Sequence, residues 1–557
     1  MIQLGISAFF HDAAACLVKN GKVLAAAEEE RFTEIKHDDS FPINAINWVL
    51  LESGISIKEV DVVCWYEDPK VKDNRIKKTF LKNIFKTWKL WLQYNKVKKE
   101  RDPQQILANL GYNGPISYTD HHLSHAAFSY FTSPYKEAAI LTVDGVGEWE
   151  TVTISKAKGK KIEKLKSIDF PNSLGLLYST VTAYLGFKPN EGEYKVMGLA
   201  PYGDPSKYYD KLQQIFEYKD KLFTINQKYF TWEYSDHVMF NKNFANLLQL
   251  LPRLPEEPVE QEHKDLAAAL QKVYEHHFLK LVALSKELTG SDNLCLGGGC
   301  AYNGVANNFA YRYFKSIHIP YAPSDAGSAI GACLARYEGK RKDNSSPFLG
   351  PEYSNKEVEK ILRDRNLKFI KFNSEDILVK RVAKLIASGS IIAWFQGRME
   401  FGARALGNRS ILATPRDASM REKLNYVIKK REGFRPFAPS VMEEEQNKWF
   451  IARENVPYMN QVVKIKGFNR KEPPVYLPSA THIDYTARIH SVTKKQNPRY
   501  HKLLVELKNL TGFGVVLNTS FNLKDQTITM TPGQAIDRFI NSDIDHLIIN
   551  DYIVIKK

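Results

Sequence analysis

The first 30 residues alternate apolar runs with polar turns. The apolar runs are 2–7, 15–18 and 22–27. A polar loop with His11 and Asp12 separates the first two runs, and Asn20-Gly21 separates the last two. An Asn-Gly pair between two apolar runs is typical of a two-residue hairpin turn. The pattern therefore predicts a strand, a polar loop and a β-hairpin.

The same order of elements begins again near Ala138. Apolar runs and turns there predict further strands at 139–143, 151–155 and 162–168. Two units built as strand, polar turn, strand, turn and strand indicate an internal duplication. That duplication is the hallmark of the ribonuclease-H-like ATPases related to actin and sugar kinases (the ASKHA fold), in which the polar turns face nucleotide phosphates. The expected fold class is therefore α/β, beginning with a duplicated ribonuclease-H-like (actin-like ATPase) domain.

A third segment joins a short apolar run to a glycine-rich turn. Residues 293–296 lead into three glycines and then into a helical stretch. A glycine turn that opens a helix can direct backbone N–H groups at an anion. Gly298, Gly299 and Asn303 are therefore candidates for nucleotide binding in the N-terminal domain. Tight packing of strand on helix explains the same glycines, and this alternative stays open.

The domain limits follow from a polar stretch at 338–346, which is typical of a linker. Helix and strand patterns resume after it. We expect one domain at 1–346, with a basic helical insertion at 69–101. A second α/β domain at 353–557 is long enough to hold its own core.

Composition narrows the class of protein. The chain has 557 residues, of which 43% are hydrophobic and 25% charged, the mix of a soluble globular protein. No apolar run reaches the roughly 18 residues of a membrane helix, and the first residues lack the basic region of a signal peptide. Its cysteines form no CxxC pair, which favours buried thiols over a zinc ribbon or a disulfide framework. We expect a cytoplasmic protein with no membrane partner and leave a homodimer open.

The net charge of +15 is unevenly distributed. Residues 70–101 carry a net charge of +10, and the rest of the chain, with 66 basic and 61 acidic residues, only +5. Apolar side chains at helical spacing make this segment a basic amphipathic helix: Ile76, Phe80, Ile84, Trp88 and Trp91. It could contact nucleic acid, anionic lipid or an anionic substrate. We favour an inserted helix that packs its aromatic stripe on the protein, and we do not expect nucleic acid as a partner.

A histidine pair is the clearest metal signal. His121 and His125 are four residues apart and would share one face of a helix, as a metal site requires. The second duplicated turn supplies Asp144, and Asp325 lies beside another tight turn. Two imidazoles and two carboxylates suit iron, zinc or manganese. Two partly exposed histidines without a metal are the alternative.

Two residues near the N-terminus are candidates for catalysis. His11 lies at the first polar loop and could take a proton from an attacking hydroxyl, although a turn histidine bonded to backbone explains it equally well. Lys36 could hold a phosphate or an acyl oxygen. Its charged surroundings are also typical of a solvated surface cluster.

The C-terminal block is rich in cations at ordered positions between glycines and prolines. They are Arg398, Arg404, Arg409, Lys429, Lys430, Arg431, Arg435 and Arg488. Arginine forks suit phosphate and carboxylate oxygens, so a small polyanion is the expected partner. Asn518 and Ser520 follow an apolar strand and could orient phosphates, or could simply bond the turn at the strand end.

At these residues the chain resembles the O-carbamoyltransferases of nodulation-factor and antibiotic biosynthesis, the NodU/CmcH family. The shared motifs run in the same order over nearly the full length. They include LGISAFFHDAAA (4–15), EERFTEIKHD (29–38), HHLSHA (121–126), LTVDGVGEWET (141–151), GEYKVMGLAPYG (192–203), SDAGSAIGA (324–332), GRMEFGARALGNRSILATPRD (397–417), REGFRPFAPSV (431–441) and VVLNTSFN (515–522).

The resemblance implies an activity and its substrates. Carbamoyl phosphate and ATP, used with Mg²⁺, would give carbamoyladenylate in a C-terminal YrdC-like domain. The N-terminal domain, similar to the enzymes that make threonylcarbamoyladenosine in tRNA, would then transfer the carbamoyl group to a hydroxyl of a small-molecule acceptor, a natural product or a saccharide.

The resemblance also implies roles for particular residues. Four of them match metal positions, usually iron with Zn²⁺ or Mn²⁺ as alternatives: His121, His125, Asp144 and Asp325. His11 matches the proposed base and Lys36 a group near the acyl adenylate. The nucleotide and carbamoyl-phosphate pocket is matched by Arg404, Lys429, Arg435, Arg488, Asn518 and Ser520.

One departure and two rival functions remain. The family motif FGPRALG has Ala403 in place of its proline, which would loosen that loop without removing Arg404. A tRNA-modifying threonylcarbamoyl-type transferase would explain the basic segment, but it normally divides these domains between two proteins. A non-catalytic nucleotide-binding scaffold would need neither the ordered cations nor the His/Asp set.

Overall fold

The computed structural model describes residues 1–235, 238–467 and 477–556. They form two compact units. The first comprises residues 1–29 and 39–345, and the second comprises 30–38 and 346–557. The chain thus changes units inside the stretch 338–346, which contains no helix or strand. The short segment 30–38, by contrast, groups with the C-terminal part of the chain, which the sequence pattern did not indicate.

The first unit begins with a five-stranded sheet. Its strands are β1 (Ile2–Ser7), β2 (Ala14–Lys19), β3 (Lys22–Glu28), β4 (Val62–Trp65) and β5 (Ile116–Tyr118). Their order is β3-β2-β1-β4-β5, with β1, β2 and β3 antiparallel and β4 and β5 parallel to β1. Asn20 and Gly21 both have positive φ between β2 and β3, as the predicted hairpin turn requires.

A second sheet in the same unit repeats this arrangement. Its first three strands are β6 (Glu137–Gly147), β7 (Glu150–Lys158) and β8 (Lys161–Asp169). A separate hairpin follows, made of β9 (Phe216–Lys219) and β10 (Leu222–Ile225), and then come β11 (Asn293–Gly297) and β12 (Ser316–His318). Read from the other edge, its order is β8-β7-β6-β11-β12, which matches β3-β2-β1-β4-β5 of the first sheet. In both sheets the first three strands are antiparallel, and β11 is parallel to β6 as β4 is to β1. The predicted duplication of a ribonuclease-H-like α/β fold is therefore confirmed.

The longer helices of the first unit are Ile43–Glu52, Pro69–Lys82, Ile84–Glu100, His121–Thr132, Leu174–Tyr184, Gln261–Thr289 and Asp325–Arg336. Shorter helices span Pro103–Asn109, Glu193–Leu199, Tyr209–Gln213, Lys242–Leu248 and Gly304–Asn307. No described helix combines the length and the apolarity that crossing a bilayer requires.

Close packing of two helices positions the candidate metal ligands. Helix His121–Thr132 packs along helix Asp325–Arg336. A Cβ on Gly331 would lie 1.9 Å from the carbonyl oxygen of Ser124, so only glycine allows this approach. Both helices carry residues of the predicted site, and a small displacement of either one would separate those residues.

Substituting Gly331 by alanine is expected to lower the free energy of unfolding by about 1–3 kcal/mol, because the new methyl group must push the two helices apart. Urea unfolding measures this change. Gly533→Ala is the matched control, since a Cβ there meets nothing closer than 3.4 Å. Equal stability of the two variants would contradict the argument.

The basic segment forms two helices, Pro69–Lys82 and Ile84–Glu100, joined at Asn83. The expectation of one amphipathic helix was therefore wrong. The chain folds back because Phe80 packs against Trp91, with ring centroids 5.5 Å apart. The expectation that the aromatic stripe packs on the protein is also wrong in part, since Ile84 and Trp88 are exposed.

The second unit is built on an eight-stranded sheet. Its strands, with those of a smaller sheet, are β13 (Lys368–Lys371), β14 (Ile392–Phe395), β15 (Arg409–Ala413), β16 (Ala438–Met442), β17 (Phe450–Ile451), β18 (Val462–Ile465), β19 (Thr486–Arg488), β20 (His490–Val492), β21 (Val515–Ser520), β22 (His546–Ile549) and β23 (Tyr552–Ile555). The large sheet has the order β13-β23-β22-β14-β15-β21-β16-β20, and β17-β18-β19 form the smaller one.

Helices accompany this sheet: Asn355–Asp364, Glu375–Ala387, Pro498–Thr511 and Pro532–Ile540. Alternate side chains of β14 belong to two different apolar clusters. Ala393 and Phe395 lie in one cluster, and Ile392 and Trp394 lie in the other. Both faces of the sheet are therefore buried, and the predicted α/β class of the C-terminal block is confirmed.

Candidate metal centre and anion-binding residues

Four predicted metal ligands come together in the first unit. They are His121, His125, Asp144 and Asp325, which are all buried and whose ligand atoms lie within 4.8 Å of one another. Asp144 Oδ2 lies 3.1 Å from Nε2 of His121 and 3.0 Å from Nε2 of His125. Asp325 Oδ1 lies 3.4 Å from Nε2 of His125. Two imidazoles and two carboxylates therefore face one point.

The start of a helix places the two histidines. The side chain of Asp120 accepts a hydrogen bond from the N–H of Leu123 and caps the helix, so that His121 is its first residue. His125 follows one turn later on the same face. His122 faces elsewhere, with its ring nitrogens against Thr142 Oγ1 and the carbonyl of Glu150. The predicted i, i+4 pairing is what the structure shows.

Backbone amides fix the carboxylate of Asp144. Gly145 N–H and Gly299 N–H donate to its Oδ1 at 2.8 and 3.2 Å, which leaves Oδ2 facing the histidines. Gly298 has φ of 85°, and a Cβ there would lie 2.3 Å from the carbonyl oxygen of Val143. The tight packing that the sequence analysis left open as the alternative explanation of these glycines is therefore present at Gly298.

The third residue of the predicted N-terminal nucleotide site, Asn303, caps a short helix and exchanges hydrogen bonds with the amide of Gln271. Gly298 therefore has a packing role, Gly299 a hydrogen-bonding role and Asn303 a capping role. Nucleotide binding by them stays a prediction.

The chemistry of the donor set fits a divalent metal ion. Within the part of the chain that the structure describes, neither carboxylate oxygen of Asp325 has a hydrogen-bond donor, although both are buried. A buried carboxylate without a donor is costly unless a cation neutralises it. Ser328 Oγ lies 3.0 Å from Nδ1 of His125, the kind of contact that orients a ligating imidazole.

The charged groups of this cluster shift one another's pKa values. Burial opposes ionisation of Asp144, but hydrogen bonds from His121 and His125 prevail and hold the pKa of Asp144 well below its ordinary value. Burial also disfavours the charged form of His125, yet Asp144 and Asp325 raise its pKa to about 9. The carboxylates therefore attract positive charge to this point, which is what a cation site requires.

His11 lies at the edge of the same cluster. Its Nδ1 is 3.1 Å from Asp12 Oδ2, and its Nε2 is 3.9 Å from Asp325 Oδ2. Burial lowers its pKa, but the charge of Asp325 and the contact with Asp12 raise it to about 10. A cation held by Asp325 would reduce this effect. The structure thus brings His11 to the predicted metal ligands, and its role as a base stays a prediction.

The second unit buries a group of cations around Lys429. Its Nζ donates to the carbonyls of Ser520 and Asn522 and to Asn522 Oδ1, at 2.5–2.8 Å. Burial, followed by the charges of Arg431, Arg435 and Lys36, lowers the pKa of Lys429 well below its ordinary value. Among the described residues no carboxylate forms an ion pair with it. A buried lysine among other cations is stabilised by binding an anionic ligand.

The strand β21 lines this group. Asn518 and Ser520 lie two residues apart on it, so they share a face of the sheet. Asn518 Nδ2 donates to Ala405 O at 3.2 Å and to Ser440 Oγ at 3.0 Å, which ties the loop of Arg404 to the strand. Ser520 Oγ donates to Asn522 Oδ1. The structure thus assembles Lys429, Asn518 and Ser520 with the Arg404 loop.

The other predicted cations lie differently. Arg488 ends β19 in the smaller sheet, and its charge acts on His482. Arg409 is buried and donates to the carbonyls of four residues, Pro351, Gln396, Gly397 and Asn408, so it holds loops together. Sequence reasoning missed Asn522, whose backbone and side chain both bind Lys429. Its position within the motif VVLNTSFN was the available signal.

The segment 30–38 makes contacts within the second unit that include the following three. Arg31 donates to the carbonyl of Gly402 at 3.1 Å, two residues before Arg404. Glu34 forms an ion pair with the buried Arg538, whose Nη2 lies 2.6 Å from Glu34 Oε1. Phe32 packs against an apolar cluster that contains Met399. The same segment carries Lys36, which explains why its charge reaches Lys429.

Two family models match the chain. Residues 2–334 match the family model for the carbamoyltransferase N-terminus, and residues 383–556 match the model for the carbamoyltransferase C-terminus. An uncharacterized protein of Synechocystis sp. is 41% identical over 99% of this chain and 96% of its own length.

Two nodulation proteins of Sinorhizobium fredii are also similar to the chain. Nodulation protein NolNO is 34% identical over 99% of this chain and 79% of its own length, and Nodulation protein U is 25% identical over 92% of each. Both family models and these relatives span nearly every residue discussed above. The chain therefore belongs to the carbamoyltransferase family that includes the nodulation proteins NodU and NolNO.

Proposed function

We propose that the protein is an ATP-dependent O-carbamoyltransferase. Water first cleaves carbamoyl phosphate into carbamate and inorganic phosphate. A carbamate oxygen then attacks the α-phosphorus of ATP, and pyrophosphate leaves to give carbamoyladenylate. An acceptor hydroxyl then attacks the carbamoyl carbon, AMP leaves, and the hydroxyl proton is released. The observation that carries the proposal is the buried Lys429, which forms no ion pair with a described carboxylate and lies among the cations Arg431, Arg435 and Lys36.

The cation group suits the first reaction. Carbamoyl phosphate and ATP are both anions, and ammonium and guanidinium groups in a buried site stabilise the charge that develops on phosphate oxygens. Lys429 is anchored by three hydrogen bonds, so its position is fixed before a ligand arrives. We assign binding of these anions to Lys429, Arg404, Arg435, Asn518 and Ser520, with Mg²⁺ accompanying ATP.

The cluster in the first unit suits the second reaction. Iron, zinc or manganese bound by His121, His125, Asp144 and Asp325 would supply a Lewis acid for the carbamoyl oxygen. His11 lies beside Asp325 and is placed to accept the proton of the acceptor hydroxyl. Gly145 and Gly299 hold Asp144 in position through their N–H groups.

Transfer is tested with purified protein, ATP and radiolabelled carbamoyl phosphate, against aminoglycoside, oligosaccharide and polyketide acceptors. We expect the label to enter a hydroxyl of one acceptor class, with one AMP formed per labelled product. Production of ADP in place of AMP would contradict the proposal. So would label transfer that does not require ATP.

The segment 30–38 provides a further prediction. Arg31→Ala removes the hydrogen bond to Gly402, and the loop of Arg404 loses a support. We expect carbamoyl-phosphate-dependent AMP formation to fall about tenfold, with Arg31→Lys less affected, because misplaced binding groups lower the rate without abolishing it. Arg365→Ala, which removes an exposed ion pair with Asp537 in the same unit, is the control. Equal effects of Arg31→Ala and Arg365→Ala would show that Arg31 does not position the loop.

A further inference from the structure

The helical hairpin 69–100 exposes an apolar ridge formed by Leu81, Ile84, Phe85, Trp88 and Leu92. The exposed fraction is 96% for Phe85, 61% for Leu81 and Leu92, 53% for Trp88 and 49% for Ile84. Phe85, Trp88 and Leu92 recur at spacings of three and four residues and so lie on one face of their helix. A contiguous exposed ridge of large apolar side chains indicates a contact surface.

The ridge does not hold the hairpin together. Other side chains do so: Phe80 packs against Trp91 and Tyr94, and the hydroxyl of Tyr94 donates to Asp73. Asp73 also forms an ion pair with Lys98 at 2.7 Å. The hairpin therefore has its own interior. On the ridge, Lys89 lies over the ring of Trp88 at 5.5 Å, and the apolar side chains stay exposed for a partner.

Cations attach a different side of the hairpin to the rest of the first unit. Arg75 lies over the ring of Phe170, Lys78 over that of Trp149 and Lys86 over that of Tyr234. Lys82 forms an ion pair with Glu233 at 2.7 Å. These contacts hold the hairpin in place and leave the ridge outside them.

Lysines border the ridge. Lys89 follows Phe85 by four residues and Lys96 follows Leu92 by four, so each lies beside the ridge, with Lys99 one turn further. All three are exposed, and none forms an ion pair with a described residue. The surface thus combines an apolar strip with a border of positive charge.

We propose that this face docks on an anionic phospholipid surface. A helix that lies in a membrane interface buries leucine, phenylalanine and tryptophan side chains at the headgroup boundary, while flanking lysines meet lipid phosphates. Single-stranded nucleic acid suits the surface less well, because bases stack on rings in a basic groove. On this ridge, exposed aliphatic side chains accompany the aromatic rings. Such a mixture suits insertion into the boundary between headgroups and acyl chains of a bilayer.

This inference does not depend on the proposed function. Docking concerns residues 81–99, whereas the predicted chemistry uses the His/Asp cluster and the cations of the second unit. The two proposals therefore fail separately. Nucleotide turnover measured in solution reports one, and vesicle binding reports the other.

The test is flotation of the full-length protein with vesicles of phosphatidylcholine alone or mixed with phosphatidylglycerol. We expect binding to the anionic vesicles only. The triple variant Lys89→Glu, Lys96→Glu, Lys99→Glu should bind at least about 100-fold more weakly, since each cation near an anionic surface contributes about fivefold. Phe85→Ser with Trp88→Ser should weaken binding comparably, by removing the inserted side chains.

A second triple variant controls for net charge: Lys368→Glu, Lys380→Glu and Lys384→Glu change exposed lysines of the second unit by the same total. We expect it to bind vesicles as the unchanged protein does, and all variants to keep their nucleotide turnover. Three results would overturn the proposal. They are no binding to anionic vesicles, equal weakening by both triple variants, or binding of single-stranded RNA in preference to vesicles at about 150 mM salt.

Discussion

Replacing Lys429 by methionine is expected to reduce carbamoyl-phosphate-dependent AMP formation by about 10²–10³-fold, the usual cost of removing one fixed donor from a reacting anion. Lys429 is 4% exposed, so it is not a solvated surface lysine. Other cations surround it, so it is not part of an apolar core either. Methionine keeps most of the volume and removes the charge. Release of AMP and pyrophosphate measures the effect.

The neighbouring lysine provides the control. Lys430→Met removes the same charge one residue later, from an exposed side chain, and should leave the rate within about twofold of the original, as surface substitutions usually do. Thermal unfolding of both variants shows whether Lys429→Met still folds. A folded Lys429→Met protein with full activity would show that the cation group does not bind the reacting anions.

The second large effect is expected from His125→Ala. Loss of one of four ligands should remove the bound metal and abolish transfer to an acceptor, while formation of carbamoyladenylate continues, because the cation group lies in the other unit. Metal content, measured by mass spectrometry on the purified protein, provides a readout that does not depend on activity. AMP formation and label transfer are measured on the same samples.

His122→Ala separates this effect from damage to the fold. His122 is buried in the same turn of helix but bonds to Thr142 and Glu150 instead of facing the cluster. Its substitution should lower stability and leave the metal bound. Retention of metal by His125→Ala, or loss of metal from both variants alike, would contradict the assignment of His125 as a ligand.

Local patterns predicted the duplicated fold well. The apolar runs near residues 2–28 and 137–169 are the strands β1–β3 and β6–β8, and the turn at Asn20-Gly21 forms as expected. Each depends on contacts between residues close in sequence, where turn chemistry and alternation are decisive. The order of the eight strands in the second unit depends on long-range pairing, which no local pattern records.

The candidate metal centre was predictable only in part. The i, i+4 spacing of His121 and His125 predicted two candidate ligands on one helix face, because a helix alone brings them together. Asp144 and Asp325 come from a strand and from another helix, and Gly331 lets that helix approach the helix of the histidines closely. The sequence pattern proposed Asp144 and Asp325 only from their positions beside turns, and the resemblance gave the same four residues. The geometry comes from the structure.

The basic hairpin shows where periodicity misleads. Ile76, Phe80, Ile84, Trp88 and Trp91 have helical spacing, but the chain reverses at Asn83 and divides them between two helices. Phe80 and Trp91 then face each other, whereas Ile84 and Trp88 are exposed. Tertiary packing, which spacing does not encode, determined which rings are buried.

Exchange of labelled pyrophosphate into ATP tests most directly whether the protein adenylates a carbamoyl group, since no acceptor is needed. We expect exchange that requires carbamoyl phosphate and that Lys429→Met greatly reduces. Exchange without carbamoyl phosphate would contradict carbamoyladenylate formation. So would a folded protein that converts ATP to ADP and shows no exchange.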